Sequence, residues 1–144
     1  VCSSDLVEVY KSDFRLDNYL IKESSLKIKG GIEKDNTLSI DINPSGIKRK
    51  DKFTLTLELE VKDEKELFYA KLIIDAYFLF RESIPMERLG AFFTMNAPAI
   101  IFPYIRGYIS MLTSLSGCGT VLLPTLNLTS MGEKLAQNIK EVKE

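Results

Sequence analysis

Histidine is absent from this 144-residue chain, and cysteine occurs only twice. Without histidine the usual general base and triad member is missing, and so is the nitrogen ligand of ordinary zinc sites. Cys2 and Cys118 are too few for a disulfide framework and point to a reducing compartment. Cys118 sits in Gly117-Cys118-Gly119 with no activating neighbour in sequence, so nucleophilic catalysis is not expected. A phosphate-binding loop is also lacking, because Gly30-Gly31 is not followed by Gly-Lys-Ser or Gly-Lys-Thr. No uninterrupted apolar run reaches the roughly 18 to 20 residues that span a bilayer, and the start of the chain lacks the basic-then-apolar layout of a signal peptide. Charge of one sign is missing too: 19 basic and 20 acidic side chains leave a formal −1, which gives no global field toward nucleic acid or an anionic membrane. These exclusions predict a soluble, cytoplasmic protein that is not an enzyme and carries no cofactor or metal.

A composition of 45% hydrophobic and 27% charged residues predicts one ordinary globular domain with a real core. The first six residues, VCSSDL, look like the translation of a common sequencing adapter; they are set aside as an artefact or a disordered start, leaving 7–144 as the domain.

From Phe14 to about Phe80 the pattern has a period of two, which predicts four antiparallel strands. Phe14, Leu16, Leu20, Leu26 and Ile28 share one parity along a long, bulged first strand that Gly30-Gly31 ends. Leu38, Ile40 and Ile42 mark the second strand, after which Asn43-Pro44-Ser45-Gly46 signals a turn and Lys48 to Lys52 a solvated hairpin end. Phe53, Leu55, Leu57, Leu59 and Val61 alternate with polar residues, the signature of a half-buried strand. After the turn Asp63-Glu64-Lys65-Glu66, the fourth strand is apolar on both faces, with Tyr69, Ile73, Tyr77 and Leu79 opposite the core side. These four residues suit either a subunit interface or a polypeptide-binding surface.

From Met86 to Leu115 the period becomes helical, with Met86, Leu89, Phe93, Ala97, Ile100, Tyr104 and Tyr108 on one stripe. Pro98 and Pro103 predict a kink or restart near Asn96, which could serve as the new N-cap. Between Ala97 and Leu112 the helix is apolar almost all round, so burial on more than one side is expected. Met86, Met95 and Met111 are assigned to gap-filling in a core. An extended segment around Pro124 leads to a last amphipathic helix running to the end, with Ser130 and Glu133 at capping-box spacing. The fold class is therefore α+β: a four-stranded antiparallel sheet, a long proline-kinked helix and a short C-terminal helix. Its apolar surface exceeds what one small subunit can cover, and oligomerisation is the expected answer.

Asn96-Ala97-Pro98-Ala99-Ile100-Ile101-Phe102-Pro103-Tyr104-Ile105-Arg106 resembles the helix motif of SecB export chaperones, where a proline-apolar run leads into Phe-Pro-Tyr-x-Arg. Leu122-Leu123-Pro124-Thr125-Leu126-Asn127-Leu128 is similar to that family's Leu-x-Pro-x-x-Asn-Phe segment, with Leu128 in place of Phe. The resemblance implies a cytoplasmic homotetramer, a dimer of dimers, that binds unfolded preproteins in hydrophobic grooves between sheet and helix without ATP and passes them to the SecA motor. Phe93, Ile101 and Tyr108 join Tyr69, Ile73, Tyr77 and Leu79 as candidates for the client or subunit surface; the resemblance makes Pro98, Phe102, Pro103, Tyr104, Arg106 and Asn127 motif residues, with Phe102, Tyr104 and Arg106 assigned to packing. It also implies motor docking through acidic residues of the outer sheet surface, here Glu23, Asp63 and Glu64, although Lys27 stands near where a second first-strand carboxylate is expected. Two other readings stay open: a SecB-like chaperone dedicated to one partner such as an antitoxin or phage protein, and a monomeric carrier of a hydrophobic ligand.

Overall fold

The computed structural model describes residues 13–30 and 37–143, so Val1–Leu6, Cys2 and Gly31 lie outside the described residues. Strands β1 (Phe14–Ile28), β2 (Leu38–Lys48), β3 (Lys52–Asp63) and β4 (Phe68–Phe80) form the antiparallel part of a sheet ordered β1-β4-β3-β2-β5. Helix α1 (Met86–Ala91), a π-helical segment (Phe92–Asn96) and α2 (Ala97–Leu115) follow, then α3 (Leu128–Ala136) and β5 (Ile139–Glu141). The fifth strand is an addition to the expected four, and it pairs parallel to β2 at Gly46, Ile47 and Lys48.

Strand β3 bears out its alternation, with Phe53, Leu55, Leu57, Leu59 and Val61 all buried. On β1 two bulges change the parity, because Asp17 and Lys22 are extra residues between the registers Leu16↔Phe78/Asn18↔Tyr77 and Ile21↔Ile74/Glu23↔Ile73. Between the bulges Tyr19 and Ile21 turn to the helix side, and Leu20 moves to the opposite face beside Asp75, where it is 53% exposed. Leu20 is therefore not a core residue, whereas Phe14 is.

The expected turn at Asn43–Gly46 is instead the middle of β2, paired with β3 from Leu38↔Asp63 to Lys48↔Phe53. Pro44 fits there because its missing donor faces outward. The Ile42 and Pro44 carbonyls accept from the Lys134 and Asn138 side chains of the last helix region, and the Gly46 amide donates to the Asn138 carbonyl, so this parity points away from β3. Gly46 is required by packing: a Cβ there would lie 2.7 Å from the Phe53 ring. That same outward edge explains why the terminal helix stops at Ala136. The Asn138 carbonyl is used by Gly46, the Val142 amide by the Lys48 carbonyl, and the chain continues as a strand.

The helices cover one face of the sheet. Phe93 stacks on Phe53 at 4.1 Å and 8° and meets Phe80 edge-on at 5.4 Å, while Phe92 stacks on Phe14 at 5.3 Å. The proline effect is absorbed without a break. The Ala97 amide donates to the Phe92 carbonyl five residues back, and Asn96 keeps helical dihedrals with no side-chain cap, so it is not the N-cap expected. The N-cap of α3 is Asn127 rather than Ser130, its Oδ1 accepting from the Thr129 amide at 3.0 Å. Asn127→Ala should lower stability by about 1 kcal/mol, read as a shift of the urea midpoint at unchanged slope.

Candidate functional site: an apolar groove on the long helix and an open sheet face

Leu89, Phe93, Ala97, Ile101, Ile105, Ile109 and Thr113 form the buried stripe, each four residues after the last. A spacing of four advances about 40° per step on a straight α-helix. The stripe therefore winds around the helix, and the wider π turn keeps Leu89, Phe93 and Ala97 aligned at its start. Tyr104 and Tyr108 accordingly do not lie on the buried stripe. Phe93 and Ile101, expected at a client or subunit surface, are core residues, 4% and 0% exposed.

What the inward stripe leaves outside is a second apolar stripe. Tyr104, Tyr108, Met111, Leu112 and Leu115, with Pro103 and Gly107 on α2, Ser116 at its C-cap and Tyr19 on β1, line a groove of about 570 Å³ open to solvent. The Tyr19 and Tyr104 rings sit 5.1 Å apart at its β1 end. Met111 is 64% and Leu115 82% exposed. Expected burial on more than one side thus fails for the chain by itself: one side of α2 is buried and the other is open. Met86 and Met95 are also exposed, so three methionines assigned to core gaps lie on the surface. Sequence periodicity could have found the groove, since positions 104, 108, 111 and 115 repeat at four, three and four.

The loop after α2 is held by Thr113, fully buried, whose hydroxyl donates to the Ile109 carbonyl and accepts from the Val121 amide at 2.9 Å. Val121 and Leu123 then turn inward, and Leu122 is left exposed. Gly117 and Gly119 both take positive φ around Cys118, whose thiol donates to the Thr113 carbonyl at 3.5 Å. Pro98 and Phe102 are buried; the Arg106 guanidinium lies over the Phe102 ring at 5.4 Å with its Nε buried and without a hydrogen-bond partner. Tyr104, assigned to packing, is instead half exposed in the groove.

The opposite sheet face carries no helix among the described residues. Tyr69, Ile73, Tyr77 and Leu79 are half-buried there by their strand neighbours. The face is less apolar than β4 alone suggests, because β1 and β3 bring charges to it. Lys71 pairs with Glu58 at 3.4 Å and Glu23 at 3.6 Å, while Asp75 accepts from Thr56 at 2.6 Å and pairs with Lys22 at 3.5 Å. The hydrogen bond to Glu58 and the nearby Glu23 charge raise the pKa of Lys71. Of the expected docking carboxylates, Glu23 is engaged in this network and Glu64 is exposed. Asp63 is buried, 2% exposed, with its carboxylate accepting from the Phe68 amide across the β3–β4 turn. It is a turn-forming residue and cannot present its charge to a partner.

Among the described residues no group of histidine, cysteine and carboxylates could hold a metal ion, and no helix is long and apolar enough to cross a membrane.

Comparison with known proteins places this arrangement. The family model described as preprotein translocase subunit SecB matches residues 6–138. The protein-export protein SecB of Bartonella quintana is 24% identical over 128 residues, covering 87% of this chain and 78% of its own. An uncharacterized protein of Methanocaldococcus jannaschii is 26% identical over 144 residues, covering 93% of this chain and 89% of its own. The SecB-like chaperone of Mycobacterium tuberculosis, solved with a ChAD peptide from the HigA1 antitoxin, superimposes with a TM-score of 0.67 at 15% identity, over 78% of this chain and 90% of that one. That likeness shows a shared fold.

Proposed function

The chain belongs to the SecB family, and from that premise we propose that it holds unfolded preproteins in its α2 groove without ATP and keeps them competent for export through the Sec pathway. Proteins of this family are chaperones, not enzymes. The observation that carries the proposal is the groove: a stripe of tyrosine, methionine and leucine, open to solvent and long enough to take several side chains of an extended segment. Its methionine can adapt to clients of different shape. Among the described residues the layer between helix and sheet is packed by Phe14, Phe53, Phe78 and Phe93, whose rings meet at 4.1 to 6.4 Å, which disfavours a hydrophobic-ligand carrier.

Assembly into a dimer of dimers fits the same surface. Among the described residues β1 lies at the sheet edge with its outer side unpaired, and the exposed stripe of α2 lies beside it. Burying a few of these side chains at about 25 cal/mol per Å² would contribute several kcal/mol per subunit. Motor docking would rest on Glu64 and part of Glu23. The burial of Asp63 favours a second reading, in which the chaperone serves one dedicated partner, as the M. tuberculosis protein was solved with an antitoxin peptide.

Light scattering of the purified protein, alone and with a denatured aggregation-prone client, tests the proposal. A tetramer that keeps the client soluble without ATP is expected. A monomer with no effect on client aggregation would overturn it, and holding of a single co-encoded protein with indifference to general clients would select the dedicated reading.

A further inference from the structure

The end of the open sheet face nearest the β3–β4 turn has a chemistry unlike its centre. In the register of the sheet, Lys27 on β1 and Lys62 on β3 both lie opposite Tyr69 on β4, so the two lysines flank one tyrosine across three strands. Lys29, whose amide donates to the Leu67 carbonyl, adds a third ammonium to the cleft of about 370 Å³ that these residues line with Phe68 and Glu66. All three lysines are exposed. Lys71 and Lys22 are paired with carboxylates, but Lys27, Lys29 and Lys62 have no ion pair among the described residues; the nearest partner of Lys27 is the Tyr69 ring, 6.0 Å from its Nζ. Burial and the nearby Glu60 charge raise the pKa of Tyr69, and its ring forms the apolar floor.

We propose that this cleft docks an extended, acidic segment of a partner protein, two of its carboxylates meeting Lys27 and Lys62 while an apolar side chain between them rests on Tyr69. The flanking strands place the two lysine backbones roughly 10 Å apart. In an extended peptide residues i, i+2 and i+4 share one face, so carboxylates at i and i+4, roughly 13 Å apart at their backbones, flank an apolar side chain at i+2, and the long lysine stems make up the difference. Charge complementarity selects the occupant: the chain as a whole is −1, so the attraction is local to this end. Glu60 and Glu66 bordering the lysines oppose a continuous phosphate backbone or an anionic membrane, which would have to lie across them, whereas a peptide can place its few carboxylates between them. The site is separate from the α2 groove and stands whether or not that groove holds export clients.

Fluorescence anisotropy with a labelled glutamate-rich peptide containing one leucine tests this on the intact protein. Binding is expected to weaken with salt and to fall by roughly tenfold or more in Lys27→Glu/Lys62→Glu. Should that variant fail to fold by circular dichroism, Lys27→Gln/Lys62→Gln provides the same comparison. Tyr108→Asp, on the other side of the molecule, should leave peptide binding unchanged while impairing client holding. Equal binding by wild type and the folded lysine variant, no binding by the wild type, or tighter binding of a single-stranded oligonucleotide or of anionic vesicles would each overturn the proposal.

Discussion

Met111→Glu/Leu115→Glu is expected to abolish client holding and to reduce self-association by at least about tenfold, with the far-ultraviolet circular dichroism of the subunit unchanged. Both side chains are more than 60% exposed in the chain, so carboxylates there meet water and not the core. The same groove would bury them in an assembly or under a bound polypeptide, where unpaired charges cost several kcal/mol each. Aggregation of a denatured client, followed by turbidity with increasing chaperone, separates the possibilities together with light scattering. Loss of client holding at an unchanged oligomer mass would assign the stripe to clients. Loss of the oligomer would assign it to a subunit interface. Neither change would remove the groove from the function altogether, and the open face around Ile73 and Tyr77 would become the place to look.

The legibility of this site in the sequence differed from residue to residue for identifiable reasons. Strand β3 was plain because its alternation is unbroken and one face is fully buried. Strand β1 was readable as a bulged strand but not in which face Leu20 takes, since a bulge adds one residue to the parity count and composition does not mark where. Turn chemistry at Asn43–Gly46 misled, because proline and glycine serve an edge strand equally when the missing donor points outward and Phe53 occupies the space of a side chain. Strand β5 carries a helical spacing at Ile139 and Val142, and only the free edge of β2 turns it into a strand. On α2 both apolar stripes were present in the sequence. Which of them faces the sheet depends on the π segment, a backbone feature with no local sequence signal beyond Pro98. The family motifs, by contrast, now have physical roles: Asn127 caps α3, Pro98 is buried just after the π segment, and the Phe102 ring supports Arg106.

Phe93→Ala separates core from surface more sharply than any other single change, and it should destabilise the subunit by about 3–5 kcal/mol. The ring is 4% exposed and packs against Phe14, Phe53 and Phe80, so its removal leaves a cavity between the π segment and three strands that rigid neighbours cannot easily refill. Such a loss is a large part of the stability of a domain this size, typically about 5–15 kcal/mol in total. Urea unfolding at fixed protein concentration would read it as a lowered midpoint, the concentration being fixed so that the proposed assembly would contribute equally to both proteins. The contrast with Met111→Glu/Leu115→Glu is the informative result. If Phe93 lies in the core, its truncation weakens folding and impairs client holding only in proportion to the unfolded fraction. A Phe93→Ala protein with wild-type stability and selectively lost client holding would return Phe93 to the binding surface and place the helix face incorrectly against the sheet.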